Sequence, residues 1–253
     1  MDQTLPALRL APPRAEIAAL AARQHRAGGA LIALLNKLGG GIEAQMALLP
    51  QGLQRQIERL VTGALQQGHA AASLGRRAPR LGHRAGPALA ALSGAAGGAG
   101  GLATSLAELP FTVTLILHAI RRAAEDEGFD PDAPEIRAQC LQVFSAGSPL
   151  EADDGVNTAF LGARLTVTGP ALQKLIASVA PRLAAALGQK LAAQAVPVLG
   201  AISGAALNAA YLSYYRELAQ IRFALLRLAQ THGAEPVLTA FAEAAKPRPI
   251  LRA

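Results

Sequence analysis

The chain has 253 residues with a single cysteine, Cys140, and 24 Lys and Arg against 17 Asp and Glu. That length can bury a core as one large domain or two small ones. The lone thiol excludes an internal disulfide framework, as expected for a reducing compartment. A net charge of +7 brings anionic lipid, nucleic acid and acidic proteins into consideration as partners, although an arginine-rich composition also arises from coding bias alone.

Ala, Leu and Gly dominate, Trp is absent and β-branched runs are few, so the expected class is all-α. The N-terminal stretch carries Asp2 and prolines where a secretory signal needs an apolar core, and a cytoplasmic protein is expected. Residues 1–13, interrupted by Pro6, Pro12 and Pro13, read as a disordered lead-in. Residues 14–245 read as a single multi-helix domain, and 246–253 as a flexible basic tail.

In chain order, helical spacing of Ile17, Leu20, Ala21, Leu31, Leu34, Leu35 and Leu38 predicts a helix over Ala15–Leu38. The pair Gly28-Gly29 is a potential break in it. A second helical region runs from Ile42 to about Leu74 and carries Met46, Leu49, Leu53, Ile57, Leu60, Val61 and Leu65 on one side, with Pro50 as a kink. The segment Gly75 to Arg84 follows, in which Arg76, Arg77, Arg80 and Arg84 have no acid nearby. It reads either as a solvated linker or as a basic loop facing a membrane.

The next stretch, Ala85–Ala107, has no charge and contains nine Ala, six Gly and four Leu. Gly94 and Gly98 are four apart, as are Gly97 and Gly101, so that small residues share a helix face and a second backbone can approach closely. Pro110 is expected to open a new helix that ends at Gly128. Asp132 and Glu135 have the spacing of a capping box for the helix that continues towards Gly147. Further helices are expected over Val156–Val167 and Pro170–Leu187. The second apolar run, Leu191–Tyr215, contains Gly200 and Gly204 in a close-packing role, and helices follow over Arg216–Gln230 and Pro236–Ala245 with a break at Gly233. The two Gly/Ala-rich segments are expected to be buried helices.

Chemistry-bearing patterns are sparse. The five histidines fall in separate segments, and none has a His or Cys at helical ligand spacing, so neither a metal nor any other cofactor is expected. The Gly-rich stretch lacks a preceding strand and a G-K-[ST] end, and no G-x-S-x-G elbow occurs. A basic face with interleaved aromatics is absent, and nucleic acid is not expected as a partner. Asp153 and Asp154 read as helix N-capping residues. Glu108 is the only charge between Arg84 and Arg121, and Asn208 is an isolated amide in an apolar helix that must find a bonding partner.

Two blocks resemble the EcsC protein family. The first is ELPFTVTLILHAI from Glu108 to Ile120, continuing through Asp126-Glu127-Gly128 to PEIRAQCLQVFSAG at 134–147. The second is AQAVPVLGAISGAALN from Ala193 to Asn208, followed by Tyr215, Ala219, Phe223, Arg227-Leu228 and His232-Gly233. Together they span residues 86–240. The family is named for a gene that accompanies a bacterial ABC transporter, and the resemblance implies no established reaction. It implies an acidic residue, usually Asp, at the position of Glu108. Some relatives carry a protease label, but this chain has no histidine constellation to match one. Because Arg137 shares the first block with Glu108, the two are expected to form a structural ion pair.

The expected function is therefore non-enzymatic association with an anionic membrane surface or a membrane protein, at the inner face of the cell membrane. The alternative is a soluble carrier of a lipid or other apolar molecule. A hydrolase built on Glu108 or on Asp153 and Asp154 is the remote reading. Ala85–Ala107 is long enough to span a bilayer, for which about 20 residues suffice. Its Gly content, like Pro197 and Asn208 in the second run, argues for burial in protein with peripheral membrane contact.

Overall fold

The structure, a computed structural model, describes residues 11–39, 50–72, 85–99, 101–144, 169–194 and 200–246. Eight helices and no strand occur among the described residues: α1 (Arg14–Gly39), α2 (Gln51–Ala72), α3 (Ala85–Ala99), α4 (Gly101–Asp126), α5 (Pro134–Val143), α6 (Gly169–Gln194), α7 (Gly200–His232) and α8 (Ala234–Ala245). The class is all-α.

Helix α7 is the axis of the molecule. Its 33 residues extend about 50 Å at 1.5 Å per residue, far enough to serve two cores. Its first half packs on α3 and α4, and α3–α7 is the most extensive helix contact. There Leu207, Tyr211, Leu212 and Tyr215 join Leu109, Val113, Ile116 and Ile120 of α4, Val61 and Leu65 of α2, and Leu183, Leu187 and Leu191 of α6 in the larger core. Its second half supplies Ile221, Ala224, Leu225 and Leu228 to a smaller core with Ile17, Leu20 and Ala21 of α1 and Val237 and Phe241 of α8. Ion pairs fasten α1 along the same stretch. Arg23 Nε donates to Glu217 at 2.6 Å, and Arg227 reaches both Glu16 and Glu127 at 2.8 Å.

Several boundaries differ from those read in the sequence. Gly28-Gly29 does not break α1, and Pro50 precedes α2, its carbonyl accepting from Leu53 and Gln54. Pro110 lies inside α4 and does not open a helix. An interior proline costs an isolated helix about 3 kcal/mol, but Leu109 and Val113 on either side are fully buried, so packing overrides the local preference. The capping box does not form. Ala133 is the N-cap of α5, without a side-chain cap, because Asp132 is engaged by Arg121 at 2.7 Å.

The stops at Gly128 and Gly233 lie where the sequence puts them, at φ 86° and 88°. At the first, Phe129 N–H reaches Ala124 O and Gly128 N–H reaches Glu125 O, both at 2.9 Å, which is a Schellman closure. The expected segments 42–49 and 156–167 lie outside the described residues.

Helix α3 is intrinsically poor, because each Gly costs about 1 kcal/mol relative to Ala. Tertiary contact holds it. A Cβ at Gly94 would lie 2.2 Å from the Gly204 carbonyl oxygen and 2.8 Å from Asn208 Nδ2. Gly94→Ala is therefore expected to force α3 and α7 apart and lower stability by about 1–3 kcal/mol. Gly63, in the interior of α2, has nothing within 4 Å of its Cβ position, and Gly63→Ala should raise stability by about 0.5–1 kcal/mol. Denaturant melts of the two variants check the opposite signs.

Candidate functional site

Helices α3 and α4 run antiparallel, which brings Ser93 and Gly97 of the first against Glu108 of the second. Gly97 permits the approach, since a Cβ there would lie 3.3 Å from Glu108 Cβ. Its carbonyl accepts from Thr104 and Ser105, the latter at 3.0 Å, which ties the two helices near their junction.

The Glu108 carboxylate gathers side chains from four helices. Lys190 Nζ of α6 donates to Oε2 at 2.8 Å. Asn208 Nδ2 of α7 donates to Oε1 at 2.6 Å, Ser93 Oγ of α3 donates to Oε1 at 2.9 Å, and Thr112 Oγ1, one turn along α4, also donates to Oε1. Asn208 Nδ2 lies 3.1 Å from Ser93 Oγ as well, so the Ser93 hydroxyl accepts a hydrogen bond from the amide and donates one to the carboxylate. This fixes the amide orientation, because a flipped Asn208 would turn its oxygen towards Glu108. The orientation leaves Asn208 Oδ1 buried without a partner.

The Lys190 side chain is 0% exposed and that of Glu108 is 9% exposed. Burial alone would raise the Glu108 pKa, but the Lys190 charge and the donors from Lys190, Thr112 and Asn208 outweigh it and hold the carboxyl below its ordinary value. Burial lowers Lys190, and the Glu108 charge offsets part of that.

This corrects the expected Glu108–Arg137 pair. Arg137 sits on α5, and the cation at Glu108 is Lys190. The sequence holds a signal for it, since Lys190 is the only charge between Arg182 and Arg216, as Glu108 is between Arg84 and Arg121. Two solitary opposite charges in apolar helices are a candidate pair. Ser93 and Thr112 carry no comparable signal.

Of the other candidate residues, Asn208 joins the cluster. Tyr215 lies apart, in an aromatic group with Phe144, Tyr211 and Tyr214. Gly98 is buried in α3, Gly101 begins α4 and Gly200 begins α7. Arg76, Arg77, Arg80, Arg84, Asp153 and Asp154 lie outside the described residues.

The outer side of the α3–α4 hairpin is unlike the inner. Beyond it the distal end of α4 exposes Glu125 and Asp126, but from Ala88 to Thr114 the exposed positions are Ala88, Leu89, Leu92, Ala96 and Ala99 on α3, and Ala103, Thr104, Ala107, Phe111 and Thr114 on α4. None of the latter is charged. Leu92 is 68% exposed and Phe111 49%. Between the helices an open groove of about 440 Å³ is lined by Ser93, Ala96, Gly97, Thr104, Ala107, Glu108 and Phe111. By length and composition Ala103–Asp126 is apolar enough to cross a membrane, with mean hydropathy 1.4 and only 39% of its most apolar window buried.

A model of the EcsC protein family matches residues 55–228. The chain belongs to the EcsC protein family. The match includes all four members of the Glu108 cluster's scaffold, α3, α4, α6 and the first half of α7, and leaves out α1 and α8. No curated protein and no solved structure matches the chain.

Chemically, this EcsC-family cluster is suited to holding helices together. A carboxylate with depressed pKa and four donors is a weak general base. Among the described residues no group of His, Cys, Asp and Glu could hold a metal. Cys140 is buried, and its thiol is pushed up to about 12 by desolvation, so it is inert. His118 is held below its ordinary value by burial and by Arg122.

Removing one member of a buried pair leaves an uncompensated charge, and Lys190→Met or Glu108→Gln should each cost about 3–5 kcal/mol. The double variant should cost less than the sum, whereas Arg137→Ala should be additive with Glu108→Gln within about 0.5 kcal/mol. Urea melts of the cycle check this. The pH dependence follows from the depressed carboxyl. Its contribution is fully present above the ordinary 4.5 and is lost as pH falls through the lower folded value. The acid limb of the stability profile should therefore be shallower in the double variant than in the wild type.

Proposed function

We propose that this EcsC-family chain is a non-enzymatic helical protein that associates with the membrane surface through the outer face of the α3–α4 hairpin. The observation that carries the reading is that Leu89, Leu92 and Phe111 stand exposed on a face with no charge. Large apolar side chains grouped on a surface mark interaction sites, and membrane is favoured here by what borders the face. Arg84 precedes α3 in sequence as a basic flank and no charge follows it before Glu108, whereas at the far end of α4 Arg121 is paired with Asp132 and Arg122 with Glu125 and Asp126. Arg76, Arg77 and Arg80 extend that basic flank, and each basic residue near an anionic surface contributes about 1 kcal/mol.

The association is peripheral in this reading. Among the described residues Glu108 sits within the one helix both long and apolar enough to cross a bilayer, and it is ion-paired to α6, so that helix cannot leave the bundle without carrying a charge into hydrocarbon. An inner-face, cytoplasmic location is part of the same proposal.

Liposome flotation tests it. The wild type should float with vesicles containing anionic lipid and be released by high salt and by alkaline carbonate. Leu92→Asp combined with Phe111→Asp should abolish flotation without lowering the melting temperature, since both residues are exposed. Flotation unaffected by the double substitution overturns the assigned face, and resistance to carbonate overturns the peripheral reading.

A further inference from the structure

The groove between α3 and α4 has a feature that membrane contact does not use, namely a nearly buried acidic residue, Glu108, in its lining. Glu108 lines the groove with Gly97, and Oε2 is the oxygen on the Gly97 side, 3.4 Å from where a Gly97 Cβ would stand. A carboxylate offers about four acceptor positions, two on each oxygen. Oε1 is filled by Asn208, Ser93 and Thr112, whereas Oε2 receives only Lys190. One acceptor position on Oε2 is thus open, on the side where α3 has no side chain. Around it the groove is apolar. Ala96, Ala107 and Phe111 line it together with Ser93 and Thr104, and the groove, about 440 Å³, is open along one side to solvent.

We propose that this groove binds an uncharged amphiphile with a single hydroxyl head, which donates its proton to Glu108 Oε2 while its alkyl chain lies over Ala96, Ala107 and Phe111. The charge balance selects the head. Lys190 already neutralises Glu108 and is wholly enclosed, so a second cation finds no unbalanced charge. A carboxylate or phosphate head would set an anion against Glu108 without reaching Lys190. A neutral donor fills the open position and adds no charge. The inference goes beyond membrane association and does not depend on it, because it concerns a ligand taken up from solution.

The test uses the full chain without membranes, at neutral pH, with n-octanol and octanoate as probes in isothermal titration calorimetry. Binding of n-octanol should be saturable and about tenfold or more tighter than that of octanoate, the ratio that one hydrogen bond gained and one charge repulsion avoided would give. Ala107→Leu fills the groove from an exposed position. Gly97→Ala covers Oε2 with a methyl group. Each should weaken n-octanol binding about tenfold or more. The Phe111 ring resonances should shift on titration in the wild type and not in Ala107→Leu. If Gly97→Ala fails to fold, Ala107→Leu decides alone, since its site is exposed. Absence of saturable n-octanol binding, equal binding of octanoate, or unchanged binding by Ala107→Leu overturns the proposal. If only flotation fails, the membrane reading falls and this one stands.

Discussion

The ion pair between Glu108 and Lys190 constrains everything around it, because neither charge can be enclosed without the other. Enclosing it requires α6 to lie where Lys190 can reach across to α4, and it requires α7 to bring Asn208 to the same carboxylate. It also requires α3 to come close enough for Ser93 to donate. Glycine makes that closeness possible at two points, Gly94 against the α7 backbone and Gly97 against Glu108 itself. The small residues of α3 and the polar cluster are therefore one device. A larger side chain at either glycine would open the gap that the hydrogen bonds must span.

This dependence explains what could be read in the sequence and what could not. The all-α class was legible, since Ala and Leu dominate and no alternating strand pattern competes. So were the stops at Gly128 and Gly233, where a positive φ favours glycine. The start that Pro110 predicts does not occur, because Leu109 and Val113 are buried on both sides of the proline and hold the helix through it. The capping box at Asp132 failed for a related reason. A carboxylate that suits an N-cap also suits an arginine, and Arg121 reaches it from the preceding helix.

At the site, Glu108 and Asn208 were conspicuous because they are polar residues stranded in apolar sequence. Their partners were harder to place. Arg137 and Glu108 share a sequence block, but nearness in sequence says little about which helices face each other, and α5 is not the helix that does so. Lys190 lies 82 positions away, and only its isolation among uncharged residues marks it. Thr112 stands one turn from Glu108 on α4 and Ser93 belongs to ordinary helical sequence, which acquires its role only when α3 and α4 pair antiparallel.

The α3–α4 hairpin also departs from the usual arrangement of a surface helix. An amphipathic helix in water keeps its apolar stripe inside and its polar residues outside. Here Ser93, Ser105, Glu108 and Thr112 turn inward beside the core residues Leu109, Val113, Ile116 and Ile120, while Leu89, Leu92 and Phe111 turn outward beside Thr104 and Thr114. Facing water, the outward set leaves apolar area exposed, and the inward set brings polar groups into a core that must satisfy each one. Both features become favourable if the medium outside is itself apolar, because the polar groups then find partners only within the protein and the apolar groups lose nothing by facing outward. The proposed membrane contact accounts for the outward Leu89, Leu92 and Phe111, while the charge pair keeps the hairpin fastened to the bundle. An acyl chain in the groove and a bilayer against the face would meet the same demand at different scales.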